Sequence, residues 1–184
     1  MVKASFKKLS HFSKMKKQAG NVMVEYGFYM VLAAIAIGGI VTYFASNSTA
    51  EQAQQLTADL TTMFGRVKGG YANNYAIINN AKLDSGGFFK NLPSLNNVAG
   101  VVTTSLGGGT LTVTPGTVTV AGDSVQYVVT QIPDAGCLPV VTSLVKNATR
   151  LLIGANVVKE VGSLPDPSKI ICAGDANTMT VISQ

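Results

Sequence analysis

The stretch from Gly20 to Phe44 constrains the fold of this chain more than any other feature. From Val22 onward it holds one acidic residue, Glu25, and otherwise only apolar, aromatic or small side chains. At a rise of about 1.5 Å per helical residue, the run is long enough to cross the hydrocarbon core of a bilayer. It is also longer than the apolar core of a secretory signal, which takes roughly 7–15 residues. The stretch therefore predicts a membrane-spanning helix over Val22–Phe44.

Glu25 is the exception within this apolar stretch. A carboxylate near the centre of a spanning segment costs about 2.5–3.5 kcal/mol on insertion scales, and less near an end. Such a residue needs either a partner of opposite charge or access to water. Glu25 is therefore the first candidate functional residue, and the alternative is a carboxylate near the membrane interface whose side chain reaches solvent.

Positive charge is concentrated in the first twenty residues. The chain of 184 residues has a formal net charge of +5, from 14 Lys and Arg and 9 Asp and Glu. Six of the lysines precede Asn21 with no acid among them, so the remainder carries eight basic and nine acidic residues and a formal charge of −1. Lysines directly before a spanning helix stay in the cytoplasm, which places the larger C-terminal part outside it. A nucleic-acid-binding arm is the less favoured alternative, because a membrane segment follows directly.

Cys137 and Cys172 are the two cysteines, and both lie in the part expected to be exported. An even count in an oxidising compartment favours a disulfide, which would stabilise the fold by roughly 3–4 kcal/mol in the chain-entropy model. Two free buried thiols are the alternative. A metal site is disfavoured, since there is no Cys-x-x-Cys spacing and no histidine nearby.

An amphipathic pattern follows the apolar stretch. The simplest architecture is one helix from about Val22 to Val67, apolar all round in its first half, amphipathic in its second, and ended by Gly69-Gly70. A capping-box sequence at Ser48–Glu51 leaves open a second helix that starts there. Apolar residues recur at steps of three and four along one helical face, namely Ala53, Leu56, Leu60, Met63, Phe64, Val67 and Tyr71.

The remainder of the chain is expected to form the sheet on which this face packs. Thr110–Thr114 and Thr117–Val120 alternate about Pro115-Gly116, which predicts a β-hairpin, and Ser124–Ile132 continues the pattern as a third strand. We therefore expect an α+β fold, a long N-terminal helix packed on an antiparallel β-sheet. The other expected elements are a connecting region over Tyr71–Gly109, a helix over Pro139–Ile153, and short strands at Val157-Val158 and Thr178–Ile182.

No catalytic residue, cofactor or metal site is expected, so the chain is predicted not to be an enzyme. The single histidine, His11, lies in the basic tail, and neither a nucleophile-elbow nor a P-loop motif occurs. The glycine run at Gly107–Gly109 lacks a following lysine and helix, so it is expected to be a loop. Four scattered acids are expected in turns, with a calcium site as the alternative: Asp123, Asp134, Asp166 and Asp175.

A basic tail, then Gly20, then an apolar helix with Glu25 five residues after that glycine resembles the leader of type IV prepilins. The motif covers Met1 to about Phe44, and the rest is similar by architecture alone. A long leader, with Asn21 rather than phenylalanine after the glycine, favours the type IVb branch. Glu25-Tyr26 also matches the small Flp pilins, although those chains are much shorter.

The resemblance implies a leader peptide over residues 1–20, an N-terminal helix over residues 21–70 with a membrane or filament core at 22–44, and a globular α+β domain over residues 71–184 with a disulfide-closed C-terminal region. A membrane peptidase would cleave between Gly20 and Asn21, and the new amine would usually be methylated. That amine would pair with Glu25 of a neighbouring subunit, because two opposite charges in apolar surroundings offset one another.

The resemblance also implies partners and a location. Other copies of the chain, the prepilin peptidase and the inner-membrane assembly machinery are the expected partners, with no nucleic acid among them. The precursor would lie in the inner membrane, leader in the cytoplasm and globular domain in the periplasm, before joining an extracellular pilus that serves adhesion, aggregation or conjugation. The helix is expected to bend or melt at Gly38-Gly39 when it leaves lipid, with ordinary small packing residues as the alternative.

Two other functions remain open at this point. A minor pilin or a type II secretion pseudopilin would carry the same leader. A signal-anchored periplasmic enzyme or binding module would instead keep Met1 or be cut near Ala50, so the mature N-terminus separates it from the pilins.

Overall fold

The protein is described by a computed structural model that covers residues 19–71 and 74–184, with side chains over the same ranges except residues 19–25 and 41–47. The basic tail, with His11, lies outside the described residues. Contacts within the chain divide it into two units, with the boundary between Tyr43 and Phe44. The unit Phe44–Gln184 is called the head below.

Helix α1 runs from Ala19 to Tyr71, which confirms the single long helix. The capping-box sequence at Ser48–Glu51 lies inside it, so no second helix starts there. The helix also continues through Gly69-Gly70, where the sequence predicted its end. Gly70 has a packing role instead, since a Cβ atom there would lie 2.6 Å from the ring of Phe88.

The amphipathic half of α1 forms part of the head's core. Its predicted apolar face is confirmed, and Tyr71 packs against the core while partly exposed. Burying such side chains stabilises the fold by roughly 1.5–3 kcal/mol each. The residues that are at most 7% exposed are Ala53, Leu56, Leu60, Met63, Phe64 and Val67.

A seven-stranded antiparallel sheet provides the surface on which this half of α1 packs. Its spatial order is β1-β2-β3-β4-β7-β5-β6. The strands are β1 (Leu95–Val98), β2 (Val101–Thr104), β3 (Thr110–Thr117), β4 (Ala121–Ile132), β5 (Arg150–Ile153), β6 (Asn156–Lys159) and β7 (Asn177–Ser183). The remaining elements are α2 (Asn80–Ser85), α3 (Asp134–Leu144) and two 3-10 turns at Tyr75–Ile77 and Pro167–Lys169.

The β3–β4 hairpin is present, but its turn is not at Pro115-Gly116, so that prediction was wrong. Strand β3 continues through both residues, and the chain turns at residues 118–120. Proline is tolerated in β3 because β2 pairs with this strand only at Thr110 and Leu111, which leaves the edge open at Pro115. Ser124–Ile132 is accordingly the second strand of the hairpin and not a third strand.

The helix predicted over Pro139–Ile153 is confirmed only from Pro139 to Leu144, so its predicted bounds were wrong. Helix α3 begins earlier, at Asp134, and ends at Leu144, with Pro139 inside it. The end of the predicted helix, Arg150–Ile153, instead forms strand β5, which pairs with β6 on one side and β7 on the other. Pairing on both sides satisfies the backbone of β5 and buries Leu151 and Ile153 against the core, so the strand is favoured over a longer helix.

The connecting region over Tyr71–Gly109 holds more regular structure than predicted. It contains a 3-10 turn, α2, β1 and β2. The short strands predicted at Val157-Val158 and Thr178–Ile182 are confirmed as β6 and β7.

Within the described part of the chain, no helix combines the length and apolarity needed to cross a membrane.

Candidate functional site

The predicted processing and assembly residues, Gly20, Asn21 and Glu25, all belong to the first turns of α1. Residues four apart are neighbours on one face of a helix, so Asn21 and Glu25 share a face. Their side chains are not among those described. Cleavage at Gly20 and the pairing of Glu25 with an amine therefore stay predictions.

An uncovered apolar surface follows these residues. Every side chain from Tyr26 to Ile40 is exposed. An exposed apolar surface of this extent is typical of a segment that contacts other proteins or a membrane. The large apolar side chains, between 47% and 73% exposed, are Tyr26, Phe28, Tyr29, Met30, Val31, Leu32, Ile35, Ile37 and Ile40.

The helix continues through Gly38-Gly39 without a break. A Cβ atom at either position would meet nothing within 4 Å. The expected bending at these glycines concerns transfer from lipid to a filament, so it stays a prediction.

A buried acid joins α1 to the segment before β1. Asp59 is 5% exposed, and its Oδ2 accepts hydrogen bonds from the backbone N–H of Ser94 at 2.8 Å and from the Ser94 hydroxyl at 2.6 Å. Its Oδ1 accepts a third from Gln55 Nε2 at 3.1 Å. Sequence reasoning missed this site, although an acid next to Leu60 in the buried face was a signal for it.

Two helical turns onward, Arg66 makes a second link to the same segment. Its Nη1 donates to the backbone carbonyl of Phe88 at 3.0 Å and to that of Lys90 at 2.7 Å. Both carbonyls belong to the loop between α2 and β1. The helix therefore carries one acid and one base that position residues 86–94, in addition to its apolar face.

The predicted disulfide between Cys137 and Cys172 is present, with Cα atoms 6.1 Å apart. Cys137 is fully buried in α3, whereas Cys172 follows the 3-10 turn at Pro167–Lys169 and is partly buried. The bond thus ties a long, mostly irregular segment to the core, because α3 packs on the sheet.

Asn177 holds the far end of this disulfide-closed segment. Its Nδ2 donates to the carbonyl of Ile132, at the end of β4, and to that of Gly174, each at 2.9 Å. Its Oδ1 accepts from the N–H of Ala173 at 2.9 Å. The segment still exposes scattered apolar side chains, of which Leu164 is 89% exposed.

The scattered acids serve local structure. The N–H groups of Val120, Val118 and Thr119 donate to the Asp123 carboxylate and lower its pKa from 3.8 to about 2. Asp166 caps the turn at Pro167–Lys169, where its hydrogen bonds with Ser168 lower its pKa. Asp134 lies in the first turn of α3, and Asp175 is an exposed loop residue.

Among the described residues, no group of three or more His, Cys, Asp or Glu side chains is placed so as to hold a metal ion.

Two buried aromatic residues join α1 to the sheet. The ring centroids of Phe64 and Tyr127 lie 4.2 Å apart. Burial raises the pKa of Tyr127, and the neighbouring Tyr75 raises it further, so this phenol stays protonated at physiological pH. These residues have a packing role and form no reactive site.

Two solved structures share this fold. The chain is similar to TcpA, a type IV pilin from the Vibrio cholerae El Tor biotype, with a TM-score of 0.55 and 14% identity over 73% of this chain and 99% of that one. It is also similar to a type IVb pilin from Salmonella typhi, with a TM-score of 0.50 and 18% identity over 71% of this chain and 96% of that one. The fold is therefore that of type IV pilins, as the resemblance of the leader implied.

Two further comparisons concern the sequence itself. No curated protein matches the chain. The family model PilS, described as the PilS N-terminal region, matches residues 49–184, which include the second half of α1 and the whole sheet. Together with the fold, this match supports a structural subunit of a pilus. The chain belongs to the PilS N-terminal family.

Proposed function

We propose that this chain is a structural subunit of a type IV pilus, polymerised through the first half of α1. The observation that carries the proposal is the exposed apolar surface of residues 26–40, on the same helix that enters the core of a head with the type IV pilin fold. A helix of this kind is unfavourable in water, so it needs lipid before assembly and other helices afterwards.

The precursor is proposed to lie in the inner membrane, with residues 1–20 as a cytoplasmic leader. A prepilin peptidase cleaves between Gly20 and Asn21, and the new amine is methylated. Support for this step comes from the lysine-rich tail, the small residue at the cut and the apolar stretch that follows. The head is then periplasmic until the subunit enters an extracellular filament.

Glu25 is proposed to control entry into the filament. Its carboxylate and the amine of Asn21 each carry a charge into apolar surroundings, where an unpaired charge costs several kcal/mol. Pairing across neighbouring subunits removes both costs at once. A docked subunit is therefore stabilised relative to one that remains alone, and the pair sets the register between helices.

The first test is the mature N-terminus, measured by mass spectrometry on the protein from cells that contain the peptidase, together with electron microscopy of sheared surface material. We expect a protein that starts at Asn21 and abundant filaments. A chain that retains Met1 would overturn the proposal and favour an anchored module. Correct processing with few or no filaments would favour a minor pilin or pseudopilin.

The second test is Glu25→Gln, with Glu51→Gln as the matched control. Glu51 is an exposed acid of the same helix, in the head, so its substitution changes the charge equally. We expect Glu25→Gln to remove most sheared filaments and Glu51→Gln to leave them. Equal filament yields from both variants and the wild type would contradict the role of Glu25.

The surface role, adhesion, aggregation or conjugation, is proposed to reside in the head, because residues 26–40 are used in assembly. A strain that lacks the gene is compared with the same strain complemented by the intact gene in assays of adhesion, aggregation and conjugation. The assay in which only the complemented strain is active identifies the role.

A further inference from the structure

We propose that the head binds an oxyanion, a carboxylate or phosphate group, in the groove between α1 and residues 86–91. This inference is independent of filament assembly. It rests on a fixed arginine, a second cation and a rigid wall.

The groove has a volume of about 330 Å³. That volume suits a ligand of amino-acid or monosaccharide size. Its lining contains two basic residues and no acid, and consists of Arg66, Gly86, Gly87, Phe88, Lys90 and Asn91. The electrostatic potential of the groove is therefore positive.

Arg66 is held in place before any ligand arrives. Its Nη1 donates to the carbonyls of Phe88 and Lys90, which restricts the guanidinium to one position. The ion pairs found among the described residues involve Arg150 and Lys169, and none involves Arg66. A guanidinium has five N–H donors in a planar fork, so donors on Nε and Nη2 remain for a planar or tetrahedral oxyanion.

The wall of the groove is rigid because Phe88 is wedged between two glycines. A Cβ atom at Gly70 or at Gly86 would lie 2.6 Å from the Phe88 ring, so the ring occupies the space that side chains would otherwise fill. The ring also contacts Tyr71, with centroids 5.6 Å apart. A preformed groove loses little conformational entropy when a ligand binds.

Lys90 provides the second positive charge and is exposed. Asp84 lines an adjoining hollow of about 190 Å³, which shares Gly87 and Lys90 with the groove. Its Oδ1 accepts a hydrogen bond from Asn97. The Asp84 carboxylate is not part of the groove lining, and the ion pairs among the described residues do not join it to Lys90. The positive charge of the groove is left for an external anion.

The test is a titration of the full-length, ¹⁵N-labelled chain with inorganic phosphate or with acetate, at constant ionic strength maintained with chloride. The Arg66 Nε–H resonance reports binding. We expect saturable shifts that are confined to Arg66 and residues 86–91. The anion that saturates at the lower concentration identifies whether phosphate or carboxylate is preferred.

Lys90→Gln, with Lys146→Gln as the control, tests the contribution of the second cation. Lys146 is an exposed lysine outside the groove, so both variants lose one positive charge. We expect Lys90→Gln to weaken binding about two- to five-fold, as for an exposed ion pair, and Lys146→Gln to leave it unchanged. Arg66→Lys keeps the charge but loses the fork, and is expected to weaken binding further.

Absence of a saturable shift at Arg66 with either anion would overturn the proposal. Equal weakening by Lys90→Gln and Lys146→Gln would also overturn it, because it would show attraction to net charge rather than to the groove.

Discussion

Asp59 in α1 accepts hydrogen bonds from both the backbone N–H and the hydroxyl of Ser94, at 2.8 and 2.6 Å. The two residues are 35 positions apart, and both are almost fully buried. The two hydrogen bonds from Ser94 replace those that the carboxylate would make to water in the unfolded chain. They also hold Ser94, the residue directly before β1, against the helix.

We expect Asp59→Ala to lower the free energy of unfolding by about 1–3 kcal/mol, because two buried donors of Ser94 lose their acceptor. Urea unfolding of the full-length chain measures the change. Asp175→Ala, which removes an exposed acid, is the control and should stay within about 0.5 kcal/mol of the wild type. If Asp59→Ala lowered the free energy of unfolding no more than Asp175→Ala does, the hydrogen bonds to Ser94 would contribute nothing to stability.

The turn between β3 and β4 is expected to depend on pH in a narrow acidic range. The pKa of Asp123 is about 2 in the folded chain and 3.8 without its hydrogen bonds. The stabilisation is therefore fully present above about pH 4 and is lost as the pH falls through 2. NMR titration of the Val118 and Val120 N–H resonances follows the loss, and Asp123→Asn should abolish the transition. A transition that survives Asp123→Asn would assign it to another group.

Gly109→Ala is expected to destabilise the head by about 1–3 kcal/mol, as overpacking does. An added Cβ atom would lie 1.8 Å from the carbonyl oxygen of Thr130, so β3 and β4 would have to separate. Gly65→Ala is the matched control. Gly65 lies in the middle of α1, and a Cβ atom there would meet nothing within 4 Å. Because alanine favours a helix over glycine, we expect this variant to be more stable by up to about 1 kcal/mol. Thermal unfolding distinguishes the two, and equal effects would contradict this account.

Removing the disulfide is expected to lower the free energy of unfolding by roughly 3–4 kcal/mol in the chain-entropy model, given the 35-residue separation. The double variant Cys137→Ala, Cys172→Ala should show this loss with or without reductant, whereas the wild type should show it only with reductant. A wild-type protein insensitive to full reduction would mean that packing alone holds the segment before β7.

Periodicity predicted the elements whose side-chain pattern and final environment agree. The steps of three and four from Ala53 to Val67 predicted the buried face of α1. The alternating pattern over Ser124–Ile132 predicted a strand, which is part of β4, and Val125, Tyr127 and Val129 form its buried face. In both places the local preference of the backbone and the position of the core favour the same element.

The errors lie where one local signal competed with a hydrogen-bonding partner elsewhere in the chain. Pro115-Gly116 is a strong turn signal, yet Asp123, several residues later, provides the acceptor that places the turn at residues 118–120. Leu151 fits a helical spacing, yet pairing with β7 makes its segment a strand. The β7 partner of Leu151, Val181, lies 30 residues further along the chain and cannot be identified from local spacing.

The sequence alone determined the change from an apolar to an amphipathic pattern and the positions of Gly20, Asn21 and Glu25 relative to the apolar stretch. It also favoured the single long helix and the Cys137–Cys172 disulfide that the structure contains. These features depend on residues close together in the chain or, for the disulfide, on an even cysteine count in a part expected to be exported. Only the tertiary structure decided the strand order, the link between Asp59 and Ser94 and the groove beside Arg66. Each of these needs residues distant in sequence to meet, and such contacts produce no periodic pattern in the sequence.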